Sequence, residues 1–291
     1  MAAIDGRTTL VGVVGDPVAH SLSPAMHNAA FEALGMNWRY VAFRVDAAAL
    51  ADALRGAAAL GMAGLNVTVP HKETAALLVD ALDPLARRTG AVNTIRIRGR
   101  RLEGFNTDAL GVLDALAAAG GGVDGCVALI LGAGGAGRAA AVALAEAGAR
   151  RVMIANRSGA RARAAAGAVR EAAPHCAVEV LGLEPEGLRR AATSADVVVH
   201  ATAASLDRGD TPRPDAGWLE AVADAFRPGM VVLDMVYTPP RTRLLRAAEA
   251  AGARAVSGLA LLVYQGARSF EIWTDRPAPV DVMRRAVGLG G

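Results

Sequence analysis

At 291 residues and 53% hydrophobic content, the chain is long enough for two domains with well-buried cores, much of the apolar content being Ala. Its net charge of only +3 comes with scattered arginines, no basic tail and no aromatic-interleaved basic stripe, which argues against nucleic-acid partners. No uncharged apolar run reaches the ~20 residues that span a bilayer, the first ten residues lack a leader pattern, and Cys126 and Cys176 lack metal-ligand spacing, so a soluble cytoplasmic chain without a metal is expected.

The chain opens on an apolar strand, Leu10 to Gly15, turned by Asp16-Pro17. Ser21-Leu22-Ser23-Pro24 then leads into a helix from Pro24 to about Leu34, with Gly35 after it. Pro at the first helical position makes Ser23 the expected N-cap. Capping does not explain Ser21, and two hydroxyls spaced i, i+2 suit a polyhydroxy ligand. A second strand spans Trp38 to Val45, and an Ala/Leu helix spans Ala47 to Leu60.

The next stretch, Asn66-Val67-Thr68-Val69-Pro70-His71-Lys72, carries the protein's one lysine among 31 Lys+Arg. Arg keeps its proton in a protein, whereas a Lys amine titrates. A single Lys in an arginine background therefore marks a position that needs a transferable proton. It lies where a β-branched run passes, through Pro70, into a helical pattern, a junction at which scaffolds present functional side chains. Beyond that helix come Gly90-Ala91-Val92-Asn93-Thr94, a hairpin from Ile95 to Leu102, and Gly104-Phe105-Asn106-Thr107-Asp108. Taken alone, Asn93 and Asp108 read as turn residues.

A helix from Ala109 to Ala119 ends in three glycines, and a new α/β run begins. The apolar strand Val127 to Leu131 runs into Gly132-Ala133-Gly134-Gly135-Ala136-Gly137 and then an Ala-rich helix. That is G-x-G-x-x-G in the strand–turn–helix context that lets a pyrophosphate approach a helix N-terminus. The following strand, Arg151 to Ala155, ends in Asn156-Arg157-Ser158-Gly159-Ala160-Arg161. An NAD site usually has a carboxylate there for the ribose 2′-hydroxyl. Arg157 and Arg161 instead suit a 2′-phosphate, so NADP is the expected cofactor. Further units follow: strands at 178–183, 196–201 and 230–236, helices at 218–226 and 243–250, and a short strand at 254–257. A helix from Leu259 to Trp273 contains Gln265, and a last one covers Val280 to Val287. Alternating strands and helices predict α/β layers with mostly parallel sheet.

Several of these stretches together resemble the shikimate dehydrogenase family, over nearly the whole chain. They are Ser21-Leu22-Ser23-Pro24-Ala25-Met26-His27-Asn28, Asn66 to Lys72, Gly90 to Thr94, Gly104 to Asp108, the glycine turn, Asn156-Arg157-Ser158, Asp234-Met235-Val236-Tyr237, and Gly258-Leu259 with Gln265. The resemblance implies a substrate-binding α/β domain over 1–108, completed by helices at 258–291, and an NADP-binding Rossmann domain over 109–257, with the active site in the cleft. It implies reversible NADPH-linked reduction of 3-dehydroshikimate to shikimate, a step towards aromatic amino acids, by a homodimer or monomer. Lys72 and Asp108 would be the catalytic pair. Ser21, Ser23, Thr68, Lys72, Asn93, Asp108, Tyr237 and Gln265 would hold the substrate. Gly132, Ala133, Gly134, Gly135, Ala136, Gly137, Asn156, Arg157, Ser158, Arg161, Met235 and Gly258 would hold NADPH.

One stretch departs from the family pattern. Asn-Ala-Thr-Ser is usual after the fourth cofactor-domain strand, whereas this chain has His200-Ala201-Thr202-Ala203-Ala204. His200 reads as a packed or hydrogen-bonded histidine rather than a catalytic one. The departure leaves open a paralogue acting on quinate or an amino-substituted analogue. A catalytically silent cofactor-binding regulator is the alternative outside the enzyme class. The Ser21/Ser23 pair favours shikimate, and the Arg157/Arg161 pair argues against an NAD-preferring quinate enzyme.

Overall fold

The computed structural model describes residues 4–202 and 217–290. The chain divides into two compact units, residues 1–111 with 262–291 and residues 112–261. Both divisions fall inside helices.

The first unit contains β1 (Thr9–Gly15), α1 (Ser23–Ala33), β2 (Trp38–Arg44), α2 (Leu50–Ala59), β3 (Gly64–Val67), α3 (Lys72–Leu78), β4 (Ala81–Leu82), α4 (Pro84–Thr89), β5 (Thr94–Arg98) and β6 (Arg101–Phe105). The chain leaves it along α5 (Thr107–Ala118). The second unit contains β7 (Val127–Leu131), α6 (Gly135–Glu146), β8 (Arg151–Ala155), α7 (Gly159–Ala172), β9 (Ala177–Leu181), α8 (Pro185–Ser194), β10 (Val197–His200), α9 (Gly217–Ala223), β11 (Val231–Asp234), α10 (Arg243–Ala250) and β12 (Arg254–Ser257). The chain returns through α11 (Gly258–Thr274) and closes with α12 (Val280–Ala286).

The six-stranded sheet of the first unit has the order β2-β1-β3-β5-β6-β4. β1 pairs in parallel with β2 and β3, as β4 does with β6, while β5 runs antiparallel to both β3 and β6. Leu50, Leu54, Leu65, Ala75, Val92 and Ile95 pack one face. Around α1 and α11, His27 lies flat on Tyr40, with ring centroids 4.5 Å apart and 6° between planes, and Phe31 stacks on Phe270. Trp273 donates its indole N–H to Ile95 O at 2.9 Å, tying α11 to the sheet. The second unit's sheet is parallel throughout, in the order β12-β11-β10-β7-β8-β9. Its central strands are fully buried, and apolar except for His200 and Asp234 at the ends of β10 and β11, as suits a parallel sheet covered on both faces.

The architecture is the expected α/β class with two parallel-rich sheets. Several local features differ from the sequence reading, among them helices α7 and α8, which it did not place. Helix α1 begins at Ser23 itself, with Leu22 in helical geometry at the cap position, and no side chain caps it. Ser23 is therefore not the N-cap, and its own amide donates to Ser21 Oγ at 3.3 Å. Residues 79–89, which carried no expectation, form β4 and α4. Asp83 caps α4 by accepting from Ala86 N at 2.8 Å and Leu85 N at 3.2 Å, and Gly90 closes it at φ 58°. No described helix is long and apolar enough to cross a membrane, and no described group of His, Cys, Asp and Glu could hold a metal ion.

Candidate active site

Backbone hydrogen bonds gather four loops of the first unit at one edge of its sheet. Thr68 N donates to Val14 O, Val67 N to Asn93 O, and Asn93 N to Phe105 O, at 2.8–3.1 Å. The loops following β1, β3 and β6 thus meet the one preceding β5. Ligand sites of α/β sheets form at such strand ends. Ser21 sits on the first of these loops with Ser23 opening the helix after it, Thr68 sits on the second with Lys72 opening the helix after it, Asn93 lies before β5 and Asp108 after β6.

Lys72 is the first residue of α3 and Asp108 the second of α5. Lys72 Nζ donates to Asp108 Oδ2 at 2.6 Å, with 19% of the lysine side chain and 9% of the aspartate side chain exposed. The helix dipole favours the carboxylate at the start of α5 and disfavours the ammonium at the start of α3, so the pair offsets an otherwise unfavourable cation. Asn93 Nδ2 reaches Asp108 Oδ1 and Thr107 Oγ1, both at 2.9 Å, and Gln265 Oε1 at 3.2 Å. The carboxylate is held by a different donor on each oxygen. Gln265 arrives from α11, its amide nitrogen donating to Leu262 O at 2.8 Å. Among the expected substrate residues, Lys72, Asn93, Asp108 and Gln265 are therefore in direct contact, and Ser21 and Ser23 contact each other. The Thr68 side chain lies over Gly15, where an added Cβ would stand 2.3 Å from Thr68 Cγ2. Tyr237 belongs to the second unit, after β11, and burial pushes its phenol pKa up.

Beneath the Lys–Asp pair lies a polar floor that sequence reasoning did not identify. Ser269 Oγ meets Thr94 Oγ1 at 2.7 Å and Thr107 Oγ1 at 3.2 Å. Asn66 Nδ2 reaches Asn93 O, Thr94 Oγ1 and Ser269 Oγ, and Tyr40 donates its hydroxyl to Asn66 Oδ1 at 2.7 Å. Every member is buried, and a satisfied network of this kind fixes the side chains above it. The one available signal for Ser269 was its place one helical turn after Gln265. His71, also buried, bonds Val45 O through Nε2 at 2.6 Å and anchors the loop carrying Lys72.

In the second unit the glycine turn joins β7 to α6, with Gly134 as the helix cap residue. Gly132 adopts φ +113°, and a Cβ on Gly137 would stand 2.1 Å from Gly132 O, so no side chain fits at either position. Asn156 Oδ1 accepts from Ala133 N at 3.3 Å, tying the turn to the end of β8. Ser158 caps α7 by accepting from Arg161 N at 3.4 Å, a structural role beside its expected one. Arg157 and Arg161 are exposed, and among the described residues no carboxylate pairs with either. Met235 and Gly258 come together, since a Cβ on Gly258 would stand 2.7 Å from Met235 O. The turn, the helix N-terminus and the unopposed guanidinium pair fit a dinucleotide bearing an extra phosphate. His200 is buried and hydrogen-bonded, with Nδ1 2.9 Å from Asp234 Oδ1 and Nε2 2.7 Å from Thr202 Oγ1. Ala203 and Ala204, the rest of that departure, lie outside the described residues.

Three family models match the chain: the shikimate dehydrogenase substrate binding domain over residues 13–95, shikimate / quinate 5-dehydrogenase over 115–234, and the shikimate 5'-dehydrogenase C-terminal domain over 258–287. The shikimate dehydrogenase (NADP(+)) of Methanopyrus kandleri is 48% identical over 286 residues, 98% of this chain and 97% of that protein. Among solved structures, shikimate 5-dehydrogenase from Listeria monocytogenes, in complex with shikimate and NAD, superposes with a TM-score of 0.88 at 34% identity, covering 98% of each chain. The Thermus thermophilus enzyme, in complex with NADP(H) and shikimate, gives 0.82 at 38% identity, covering 96% of this chain and 98% of that one.

Proposed function

This chain belongs to the shikimate dehydrogenase family, and from that premise we propose that it is an NADP-dependent shikimate dehydrogenase with Lys72 and Asp108 as its proton-handling pair. It reduces 3-dehydroshikimate reversibly to shikimate, on the route to aromatic amino acids. The observation that carries the assignment of roles is the 2.6 Å contact between the protein's one lysine and Asp108.

Reduction of a ketone leaves an alkoxide. The Lys72 ammonium donates the proton that quenches it and stabilises the charge as it develops. Asp108 holds the amine in place through Oδ2 while Asn93 pins Oδ1. Ser21, Ser23, Thr68, Asn93, Gln265 and Tyr237 bind the carboxylate and hydroxyls of the substrate. NADPH, when bound, supplies the hydride. Gly132 to Gly137 admit its pyrophosphate, Asn156 and Ser158 line that edge, Arg157 and Arg161 hold the 2′-phosphate, and Met235 and Gly258 flank the nicotinamide. Residues 1–108 with 258–291 form the substrate domain, and 109–257 the cofactor domain. We place the enzyme in the cytoplasm as a homodimer or monomer, a choice that sedimentation decides.

Steady-state rates with shikimate and quinate, each with NADP and NAD, test the assignment. The expected preference is shikimate with NADP. A preference for quinate with NAD would transfer the enzyme to the quinate branch of the family, and NADPH binding without turnover would make it a regulator.

A further inference from the structure

Within the first unit, helices α5 and α11 touch backbone to backbone. Gly111 lies inside α5, where glycine weakens a helix relative to alanine. A Cβ added to it would stand 2.8 Å from both the backbone N and the Cβ of Gln265, and 3.0 Å from its Cα. Those atoms belong to the framework of α11 and cannot swing aside as the end of a side chain can. Gly56 of α2 gives the contrast, since a Cβ there would meet nothing within 4 Å. The two helices cross antiparallel. Thr107, one turn before Gly111, has its Oγ1 3.2 Å from Ser269 Oγ, and Ser269 lies one turn after Gln265.

This contact sets how far Gln265 stands from the carboxylate. Asp108 and Gly111 are three residues apart, on one side of α5. Asn93 Nδ2 reaches Asp108 Oδ1 at 2.9 Å and Gln265 Oε1 at 3.2 Å, so one amide spans both helices. Gln265 is held against turning, because its Nε2 donates to Leu262 O at 2.8 Å. Carbon atoms pack at about 3.5–4.0 Å, so an alanine at position 111 would part the helices by about 1 Å. Asn66, Thr94 and Thr107 hold Ser269, and Trp273 donates to Ile95 O, so the later turns of α11 stay on the sheet and the movement falls at Gln265. Its Oε1 would then lie about 4 Å from Asn93 Nδ2, beyond hydrogen-bond reach. We infer that Gly111 is a positioning residue for substrate binding: by letting two helix backbones touch, it holds the Gln265 amide at Asn93 and at the distance from Asp108 that lets both grip one substrate molecule. The inference rests on the reading of Gln265 as a substrate residue.

The test is steady-state kinetics of Gly111→Ala with 3-dehydroshikimate and NADPH, beside Gly56→Ala, Gln265→Ala, Gln265→Asn and the double variant Gly111→Ala/Gln265→Ala. Losing one neutral hydrogen bond to a ligand corresponds to about a threefold to tenfold change in affinity. Gly111→Ala should raise KM for 3-dehydroshikimate by about that factor, with kcat and KM for NADPH within about twofold, because the Lys72–Asp108 pair keeps its geometry. A Gly111→Ala enzyme with wild-type KM, or one that loses kcat at unchanged KM, overturns the proposal. Gly56→Ala should leave KM alone, and a rise equal to that of Gly111→Ala would make the effect general to helix glycines and overturn it too. Adding Gly111→Ala to Gln265→Ala should raise KM no further, since the glycine acts through the glutamine. A fully additive rise is the mark of a purely structural glycine and counts against the proposal. Gln265→Asn withdraws the amide by one methylene with Gly111 in place, and so tests the distance even if Gly111→Ala does not fold. The same rise in KM is expected, and an unchanged KM overturns the proposal. A Gln265→Ala enzyme with wild-type KM removes the substrate reading of Gln265 together with this inference, whereas a raised KM there with Gly111→Ala neutral removes this inference alone.

Discussion

Replacing Lys72 by Arg separates charge from proton transfer. The guanidinium keeps the positive charge that Asp108 pairs with at 2.6 Å, and it keeps hydrogens for the carboxylate. What it lacks is a proton it can release. A positioned general acid contributes about 10²–10⁴-fold to a rate, or about 3–5.5 kcal/mol of barrier at ~1.4 kcal/mol per tenfold. Lys72→Arg should lower kcat by about that range while KM for both substrates stays within about threefold, the pattern of an interaction used in the transition state rather than the ground state. Lys72→Met makes the contrast, because it leaves Asp108, only 9% exposed, without its cation. A fully buried pair broken this way costs about 3–5 kcal/mol, and the partly wet amine here brings the expected loss to about 2–3 kcal/mol. The assay is NADPH consumption in single turnovers under saturating 3-dehydroshikimate, alongside urea unfolding of each variant. If Lys72→Arg retains kcat to within about threefold of wild type, the proton does not come from Lys72 and the assigned chemistry fails.

Arg157→Ala and Arg161→Ala should each raise KM for NADPH by about tenfold, the effect of one charge-assisted hydrogen bond, and leave KM for NADH almost unchanged. Equal losses with both cofactors would detach these arginines from the 2′-phosphate. Gly137→Ala drives a Cβ to 2.1 Å from a backbone oxygen that cannot swing aside, so Tm and NADPH affinity should fall together; wild-type affinity in this variant would contradict the close packing of the turn. Burial lowers the His27 pKa from 6.5 to about 3, so the folded chain holds this imidazole uncharged while the unfolded chain protonates it. The associated stability is complete above pH 6.5 and drains away at about 1.4 kcal/mol per pH unit below it, reaching about 2 kcal/mol near pH 5. His27→Phe should flatten that part of the stability–pH curve, and parallel curves for the two chains would refute the buried neutral histidine.

The parts of this molecule legible in its sequence were those whose signal is local. The glycine turn is legible because a buried strand, a run of glycines and the start of a helix all fall between Val127 and Gly137, and two of those glycines, Gly132 and Gly137, answer a steric demand. Lys72 stood out by composition alone. Helix α4 was missed although Asp83, Pro84 and Gly90 supply both of its caps, because six residues are too few for a hydrophobic period. Ser23 was misread for a different reason. Pro24 set the expected boundary, but Leu22 already has helical angles, so the helix starts one residue early and the serine loses the extended geometry a cap needs.

The site itself belongs to the non-local part. Asn93 and Gln265 touch across 172 residues, and Asn66 and Ser269 across 203, distances over which spacing carries no information. Only the family pattern brought Asn93, Asp108 and Gln265 together in advance, and it was silent on the role of Ser269. Topology explains why the members come from such different contexts. β1, β3 and β6 end at one edge of the first sheet, so they contribute the residues that follow them: Ser21, Thr68, Lys72 and Asp108. β5 runs the other way and begins at that edge, so it contributes the residue before it, Asn93. Were β5 parallel to β3, Asn93 would sit at the far end of the sheet and Asp108 would lose the donor on its Oδ1. The single reversed strand therefore does more than break the symmetry of the sheet. It is what allows a carboxylate to be gripped by an amide on one oxygen while the other is left for the lysine.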